Sequence, residues 1–434
     1  MKVWLPDFTG LDNQLTTNID VEGECNAFYN GTSINFYDFG GGCNATSLIA
    51  DVVYHEYGHG INDWYYQSLG GFFSNGAMNE GYADFWGMSL TQSGLLGIGF
   101  NLDDEEPLRR YDQDRKVYPD DIVAEVHADG EIICGAWYDT HLLMGGDWDQ
   151  TMELFIGAYD GLQANTNNGN EGAAFSDVLL DALQADDDDA DLTNGTPNGA
   201  AILEGFLLHG ITLLSAVDLE HQAVLEAPSD EPIVIDAIAD IFFPYSQYFS
   251  SVNANYQVLP DGDWTSIPME DNEDGTFTAA IDPQVGGVII AYYITMTDVF
   301  DQQSAVTPVG ATKEVYPNLP NFILVNYLAE QVHDGDDFAD FGSWQMGVNG
   351  DNASTGEWEE VVPIGSFSEE GDPATIVAPN SDHTPGGGNE GYCFVTGNSP
   401  SLTAGVGTND VDDGHTTLRS QSIDLTSYQD PAFA

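Results

Sequence analysis

The chain has 434 residues and carries 72 acidic against 7 basic side chains, a formal charge of −65. Nucleic acids and anionic membrane surfaces are bound by clustered cations, so this balance excludes nucleic acid and argues against an anionic membrane surface. No apolar run approaches the roughly 18 residues that a membrane span needs. The hydrophobic fraction of 42% is sufficient for buried cores, and the length predicts two to four domains.

The acidic residues are spread along the whole chain, which indicates a solvated acidic surface rather than an acidic tail. Salt or bound divalent cations would relieve the self-repulsion of such a surface. Two interpretations stay open. The protein works in a saline setting, binds Ca²⁺, or both; or the surface is simply soluble and acidic.

The hydrophobic pattern divides the chain into three regions. Helical periodicity dominates 1–215, and from about 218 it gives way to the period-2 alternation of short strands. We therefore predict a multidomain protein: an α+β domain at 1–215, an immunoglobulin/fibronectin-like β-sandwich at 218–318 and a β-rich module at 321–434. Helices are predicted at 45–68, 77–93, 127–145, 151–162, 173–185 and 198–209.

The strongest chemical signal is the segment Val52-Val-Tyr-His-Glu-Tyr-Gly-His-Gly. His55 and His59 lie four residues apart, so on a helix they share one face and can hold one Zn²⁺. Glu56 would lie beside the metal, where it can take a proton from the attacking water. A catalytic zinc needs a third protein ligand. Tyr65 stands six residues after His59, so a third histidine is not supplied there.

A second segment, Asn79-Glu-Gly-Tyr-Ala-Asp-Phe-Trp-Gly, begins 20 residues after His59. Glu80 is the candidate third ligand. Asp84 is one helical turn further on and can accept the free ring N–H of a ligand histidine, which fixes its tautomer. The alternative is an ordinary acidic helix face.

Together these two segments resemble the thermolysin-like and fungalysin-like metalloproteases, which are zincins with a glutamate as third ligand. Asn26-Ala-Phe-Tyr-Asn-Gly also resembles the edge strand with which such enzymes bind the substrate backbone. The resemblance implies substrate-binding roles for Asn26, Ala27 and Phe28.

The segment Glu125-Val-His-Ala-Asp-Gly is similar to the one whose histidine stabilises the tetrahedral oxyanion in that family. The resemblance implies this catalytic role for His127, with Asp120 or Asp121 as the carboxylate that orients it. The family also has a large lobe before the edge strand and a tyrosine donor before the third ligand. Only about 25 residues precede Asn26 here, and the candidate replacements for the tyrosine are Tyr82, Tyr111 and Tyr118.

Four of the seven cations lie just before His127: Arg109, Arg110, Arg115 and Lys116. One interpretation is a guanidinium that binds a substrate carbonyl or a ligand carboxylate, with Arg110 as the chosen member. The other is an ion-paired clamp that stabilises the loop.

The downstream segments Gly356-Glu-Trp-Glu and Gly391-Tyr-Cys-Phe-Val-Thr-Gly-Asn resemble jelly-roll modules appended to secreted enzymes, here with the last strands incomplete. Such modules often bind polysaccharide or cell-surface material. Trp344 and Trp358 would stack on sugars or belong to the core. Candidate Ca²⁺ ligands are the acids from Asp186 to Asp191 and the group Asp410, Asp412 and Asp413.

The resemblance implies a secreted zinc-dependent endopeptidase that cleaves a protein or peptide with a zinc-activated water and Glu56 as general base. Cys25 and Cys43 bracket a hairpin-like segment and are candidates for a disulfide, which fits export. The chain does not begin with a signal peptide, so we expect a fragment of a longer precursor. The alternatives are an adhesion or carbohydrate-binding protein with a vestigial or structural zinc site, and an enzyme that hydrolyses a non-protein amide such as a cell-wall peptide.

Overall fold

The chain combines helices and sheets in two compact units. A computed structural model assigns 1–122 and 126–327 to the first unit and 123–125 and 328–434 to the second. The predicted mixture of helix and sheet in more than one unit is confirmed, whereas the zincin and jelly-roll assignments stay predictions. The structure describes residues 3, 5–102, 106–161, 166–260, 262–309, 311, 320–325, 344–367, 376–378, 392–401, 404, 408–411 and 414–420.

Each predicted helix is present within a few residues of its expected limits. The largest difference is at the start of the first helix, where the short 3-10 turn Thr46–Leu48 precedes the α-helix. In the described residues the helices are α1 (Ala50–Ser68), α2 (Gly76–Thr91), α3 (Val126–Leu143), α4 (Trp148–Gly161), α5 (Glu171–Asp186) and α6 (Gly199–Leu207).

Glycines allow α1, α2 and α3 to approach closely. A Cβ added at Gly58 would lie 2.9 Å from the Ala83 Cα, and one added at Gly81 would lie 2.5 Å from the Gly130 carbonyl oxygen. Both distances are shorter than real Cβ contacts, so only glycine fits at these crossings. The close approach brings the middle of α1 against the first turns of α2.

A three-stranded sheet precedes α1 and consists of β1 (Thr16–Val21), β2 (Ala27–Tyr29) and β3 (Ser33–Tyr37), in the order β1-β3-β2. A small apolar cluster that includes Ile34, Phe36 and Val52 packs this sheet against the start of α1. The predicted disulfide between Cys25 and Cys43 is present. The order of strands leaves β2 at an edge of the sheet.

Two further sheets follow α6. In β8 the buried residues Ile233, Ile235, Ala237 and Ala239 alternate with exposed ones, as the period-2 pattern predicts. The buried faces of both sheets belong to the same hydrophobic cluster as the helices. A hydrogen bond also joins the two parts, since Gln302 Nε2 donates to the Leu203 carbonyl in α6 at 3.1 Å. The strands are β6 (Leu219–Glu220), β7 (Glu226–Ala227), β8 (Ile233–Ala239), β9 (Phe249–Leu259), β10 (Thr265–Pro268), β11 (Glu270–Asp271), β12 (Thr276–Ile281), β13 (Ile289–Asp298), β14 (Gln303–Thr307) and β15 (Asn321–Val325).

The six-stranded sheet has the order β10-β9-β13-β15-β7 with β14 also on β13, and the four-stranded sheet has the order β11-β12-β8-β6. The sequence pattern places β15 in the third module, yet this strand pairs with β13 from Tyr292↔Asn321 to Ile289↔Leu324. The six-stranded sheet therefore extends to Val325, past the Pro-containing stretch at which the sequence predicts a boundary.

The described part of the second unit contains β16 (Gln345–Met346), β17 (Trp358–Val361), β18 (Ser366–Phe367), β19 (Ile376–Ala378), β20 (Cys393–Thr396) and β21 (Leu418–Arg419), which form two-stranded pairs. The Trp344 ring lies 5.6 Å from the Phe394 ring, and Trp358 Nε1 donates to the Thr416 carbonyl at 3.3 Å. Both tryptophans therefore make contacts inside their own module. Among the helices that the structure describes, none is long and apolar enough to cross a membrane.

The remaining short pair joins β4 (Leu95–Leu96) to β5 (Arg109–Arg110), with Leu95 opposite Arg110 and Leu96 opposite Arg109. Successive side chains of a strand point to opposite faces of the sheet. The two neighbouring arginines are therefore directed to different surroundings.

Candidate metal centre

The three predicted ligands meet in the structure. His55 and His59 lie one turn apart on α1, and Glu80 reaches them from the first turns of α2. The two Nε2 atoms are 3.1 Å apart, and Glu80 Oε2 lies 3.2 Å from His55 Nε2 and 3.5 Å from His59 Nε2. Their side chains are only 7%, 11% and 16% exposed. These three atoms form a small triangle with little access to bulk water.

The size and chemistry of this triangle fit a metal ion. Ligands held about 2.0–2.1 Å from a tetrahedral zinc are separated from one another by about 3.3 Å. Glu80 Oε2 is buried and has no hydrogen-bond partner among the described residues, although ring nitrogens of three histidines, His55, His59 and His127, lie 3.2–3.5 Å from it. A buried oxygen without a partner is costly unless a cation satisfies it. The residues therefore fit a divalent metal, and two imidazoles with one carboxylate are a set that zinc prefers.

Asp84 holds the first ligand in place. Its Oδ1 accepts from His55 Nδ1 at 2.5 Å, so in the neutral ring His55 Nε2 carries the lone pair toward the triangle. Arg109 donates to both oxygens of Asp84 at 2.6 Å, and the Tyr111 hydroxyl donates to Oδ2 at 2.5 Å. Burial opposes ionisation of Asp84, but Arg109 and His55 hold its pKa below its ordinary value. The carboxylate raises the pKa of His55 to about 10, against the effect of burial.

The second ligand has a neutral partner that sequence reasoning missed. His59 Nδ1 lies 3.1 Å from Asn79 Oδ1, and Asn62 Nδ2 donates to the same oxygen at 2.7 Å. Asn62 in turn accepts a hydrogen bond from the Tyr159 hydroxyl. Asn79 is the first residue of the quoted Asn-Glu motif, so its position before Glu80 is the sequence signal that could have identified it.

Glu56 has the surroundings of a general base. It is buried, and its Oε2 has no hydrogen-bond partner in the part of the chain that the structure describes. Burial raises the pKa of its carboxyl group above the ordinary value, while His55 and His59 oppose this rise. A carboxylate with a raised pKa and an unused oxygen can accept a proton from a water beside the triangle.

His127 lies at the start of α3 and faces the same cluster. Its Nε2 is 3.5 Å from Glu80 Oε2, and its side chain is half exposed. His127 therefore brings a half-exposed ring nitrogen next to the predicted ligand Glu80. Of the two carboxylates proposed to orient it, Asp121 accepts the Val117 N–H at 2.7 Å.

The edge strand β2 presents part of its backbone outward. The Tyr37 N–H donates to the Asn26 carbonyl, so Asn26 and, two residues on, Phe28 direct their backbone groups toward β3. Ala27 and Tyr29 therefore direct theirs to the edge of the sheet on which no described strand pairs. Asn26 Oδ1 accepts the Ala27 N–H at 2.9 Å, which leaves the Ala27 carbonyl and the Tyr29 N–H for a bound strand.

The strand is held next to α1, since the Tyr29 hydroxyl donates to Asp63 Oδ2 on that helix at 2.9 Å. β2 therefore lies close to the helix that carries His55, Glu56 and His59.

Arg109, and not the predicted Arg110, is the arginine that contacts the site. Arg110 forms surface ion pairs with Asp112 at 2.9 Å and with Glu106 at 3.6 Å. Arg109 instead contacts Asp84, with its side chain 11% exposed. The reason is the alternation along β5, which turns one side chain inward and the next to solvent.

Arg115 pairs with Asp139 on α3, where Asp139 also lies 3.2 Å from His209 Nε2. This arrangement corresponds to the ion-paired clamp. Among the three candidate tyrosines, Tyr82 is fully buried in the aromatic core, Tyr118 packs against Gly172, and Tyr111 reaches the site through Asp84.

The acidic turn after α5 satisfies part of its charge internally. Asp186 accepts from Thr196 Oγ1 at 2.6 Å and from Asn198 Nδ2 at 2.6 Å. Carboxylate oxygens of Asp187, Asp188 and Asp189 lie within 4.8 Å of one another. Calcium at this turn stays a prediction. In the other predicted group, Asp410 is exposed, and Asp412 and Asp413 lie outside the described residues.

The sequence matches no protein-family model and no curated protein. The assignment of function therefore depends on the residues of the site and on their geometry.

Proposed function

We propose that the first unit is a zinc-dependent endopeptidase of the thermolysin-like type, with His55, His59 and Glu80 as the metal ligands. The observation that carries the proposal is the triangle of 3.1, 3.2 and 3.5 Å between three ligand atoms, of which the buried Glu80 Oε2 has no hydrogen-bond partner among the described residues. Three protein ligands, rather than the closed set of four in a structural site, leave a position for substrate.

In this mechanism a bound zinc supplies Lewis-acid polarisation of the scissile carbonyl and activation of water. The oxygen of the water bonds to the carbonyl carbon, and Glu56 accepts a proton from that water in the same step. His127 donates a hydrogen bond to the carbonyl oxygen as charge develops there. When the carbon–nitrogen bond breaks, Glu56 gives its proton to the leaving amine, and the acid and amine products separate.

The chain also offers a way to align an extended peptide. The outward Ala27 carbonyl and Tyr29 N–H can pair with a substrate strand, which is recognition by strand addition. This backbone recognition favours a protein or peptide over a carbohydrate. Arg109 keeps Asp84, and through it His55, in one orientation during turnover.

The main alternative is a binding protein with a structural or vestigial zinc site. The surroundings of Glu56 count against this alternative. Its buried carboxylate oxygen has no partner among the described residues, which destabilises the fold, and a structural zinc site has no use for such a group. Such a cost is typical of catalytic groups.

Two variants test the proposal. Glu56→Gln removes the base but keeps the ligands, so it should bind one zinc per chain and lose about 10²–10⁴-fold in turnover of an unfolded protein substrate. Glu80→Gln weakens a ligand, so zinc binding and turnover should fall together. If Glu56→Gln keeps wild-type turnover, the proposed mechanism is wrong. Cleavage of cell-wall peptides but not of casein would move the proposal to the non-protein amide.

A further inference from the structure

A chain of hydrogen bonds runs from the metal ligand His59 into the aromatic core. Asn79 Oδ1 lies 3.1 Å from His59 Nδ1 and accepts from Asn62 Nδ2 at 2.7 Å. Asn62 Nδ2 also contacts the Asn79 main-chain carbonyl at 3.2 Å, and Asn62 Oδ1 accepts from the Tyr159 hydroxyl. Asn62 and Tyr159 are both fully buried. The chain thus connects the ligand triangle to a tyrosine of the core.

The contact with the Asn79 main-chain carbonyl determines which groups in this chain donate and which accept. A main-chain carbonyl only accepts, so the contact with the Asn79 carbonyl requires Asn62 to present its NH₂ group on that side. The same NH₂ group then faces the side-chain amide of Asn79 and requires an oxygen there. This oxygen is the atom that meets His59 Nδ1.

The orientation of the Asn79 amide determines the tautomer of His59. An amide oxygen at Nδ1 requires a proton on Nδ1, which leaves the lone pair on Nε2 for the metal. The opposite orientation would place an NH₂ group at Nδ1 and move the proton to Nε2, where it blocks ligation.

We infer that Asn62 and Tyr159 are positioning residues that set the orientation of the Asn79 amide and so keep His59 in the tautomer able to bind metal. Tyr159 acts by donating to Asn62 Oδ1, a buried acceptor for which the described residues supply no second donor. The inference rests on the proposed metal site and adds to it residues that lie outside the ligand set and its direct partners.

The aromatic core supplies a matched control. Tyr66 is buried in the same cluster, with its ring 5.8 Å from that of Tyr159, and its hydroxyl donates to the Tyr159 main-chain carbonyl at 3.3 Å. Tyr66→Phe removes the same chemical group from the same cluster and leaves the hydrogen bond from Tyr159 to Asn62 in place.

The experiment compares Tyr159→Phe, Asn62→Asp and Tyr66→Phe with the wild type. Zinc affinity is measured by competition with a chromophoric chelator, and the His59 tautomer is read from long-range ¹H–¹⁵N spectra of the metal-free protein. We expect zinc affinity to fall about 10-fold in Tyr159→Phe and about 100-fold in Asn62→Asp, with a shift of the His59 proton toward Nε2. Tyr66→Phe should keep the wild-type affinity and the Nδ1–H tautomer.

Equal zinc affinity and an unchanged tautomer in Tyr159→Phe would overturn the inference, as would equal losses in Tyr159→Phe and Tyr66→Phe. If Asn62→Asp does not fold, Tyr159→Phe still decides. If the wild type binds no zinc, the proposed function fails, whereas the tautomer in the metal-free protein still tests the role of Asn62 and Tyr159.

Discussion

Replacement of Asp84 by asparagine should destabilise the fold far more than the loss of an ordinary ion pair. The Asp84 carboxylate is 2% exposed and accepts from His55, from both donors of Arg109 and from Tyr111. Asparagine keeps the shape but removes the charge and one acceptor. The Arg109 guanidinium, 11% exposed, would remain buried without this counter-charge.

The size of the effect follows from burial. Removing one partner of a buried ion pair costs about 3–5 kcal/mol, because the other charge stays uncompensated. A domain has only about 5–15 kcal/mol of stability in total, so the change is readily measured. The assay is urea unfolding of the metal-free protein at fixed high salt, followed by tryptophan fluorescence.

The surface provides a control with the same chemistry. Arg110 also donates two hydrogen bonds to one carboxylate, at 2.9 and 3.1 Å to Asp112, but these side chains are 31% and 41% exposed. Asp112→Asn should cost less than about 1 kcal/mol. Equal losses in Asp84→Asn and Asp112→Asn would refute the argument from burial.

Two further predictions concern the stability of the helical packing and its dependence on pH. Gly81→Ala should destabilise by about 1–3 kcal/mol in the same urea assay, because its Cβ would lie 2.5 Å from the Gly130 carbonyl oxygen, whereas Gly71→Ala, 3.8 Å from its nearest neighbour, should change little. Burial, with a contribution from Asp177, raises the pKa of Asp181 to about 7 from 3.8. The folded state therefore favours the protonated carboxyl group, and the stability that this group contributes is present below about pH 4 and is lost as the pH rises through 7. Asp181→Asn should therefore add about 1–2 kcal/mol at pH 8 and almost nothing at pH 4 in thermal melts, and an equal gain at both pH values would contradict the assignment. Glu153→Gln, at an exposed position on α4, is the control for general charge removal.

The candidate metal site is predictable from the sequence because it depends on geometry within single helices. Residues four apart on a helix share a face, so the spacing of His55 and His59, and of Glu80 and Asp84, is enough to place these groups correctly. The two helices need only to pack together, and the apolar and glycine positions of both make that packing specific.

The choice between Arg109 and Arg110 could not be made from sequence. It depends on which face of a two-residue strand turns inward, and the register of β5 is set by Leu95 and Leu96 more than ten residues away. No local pattern carries that information.

The network beyond the ligands was missed for a similar reason. Asn62 and Tyr159 are 97 residues apart, and Tyr159 lies in a helix whose apolar pattern indicates only that it is buried. Long-range polar contacts inside an aromatic core leave no periodic signature. Likewise, the six-stranded sheet extends to Val325 through the pairing of β15 with β13, and these strands flank a stretch whose sequence resembles a linker.

The most direct test of the central claim is cleavage of unfolded casein by the purified chain in high salt with Ca²⁺, with and without a zinc chelator. We predict cleavage that stops when the chelator removes one zinc per chain and returns when zinc is added back. No cleavage by a protein that holds one zinc per chain at His55, His59 and Glu80 would contradict the peptidase assignment, and cleavage that the chelator does not affect would contradict the role of the metal.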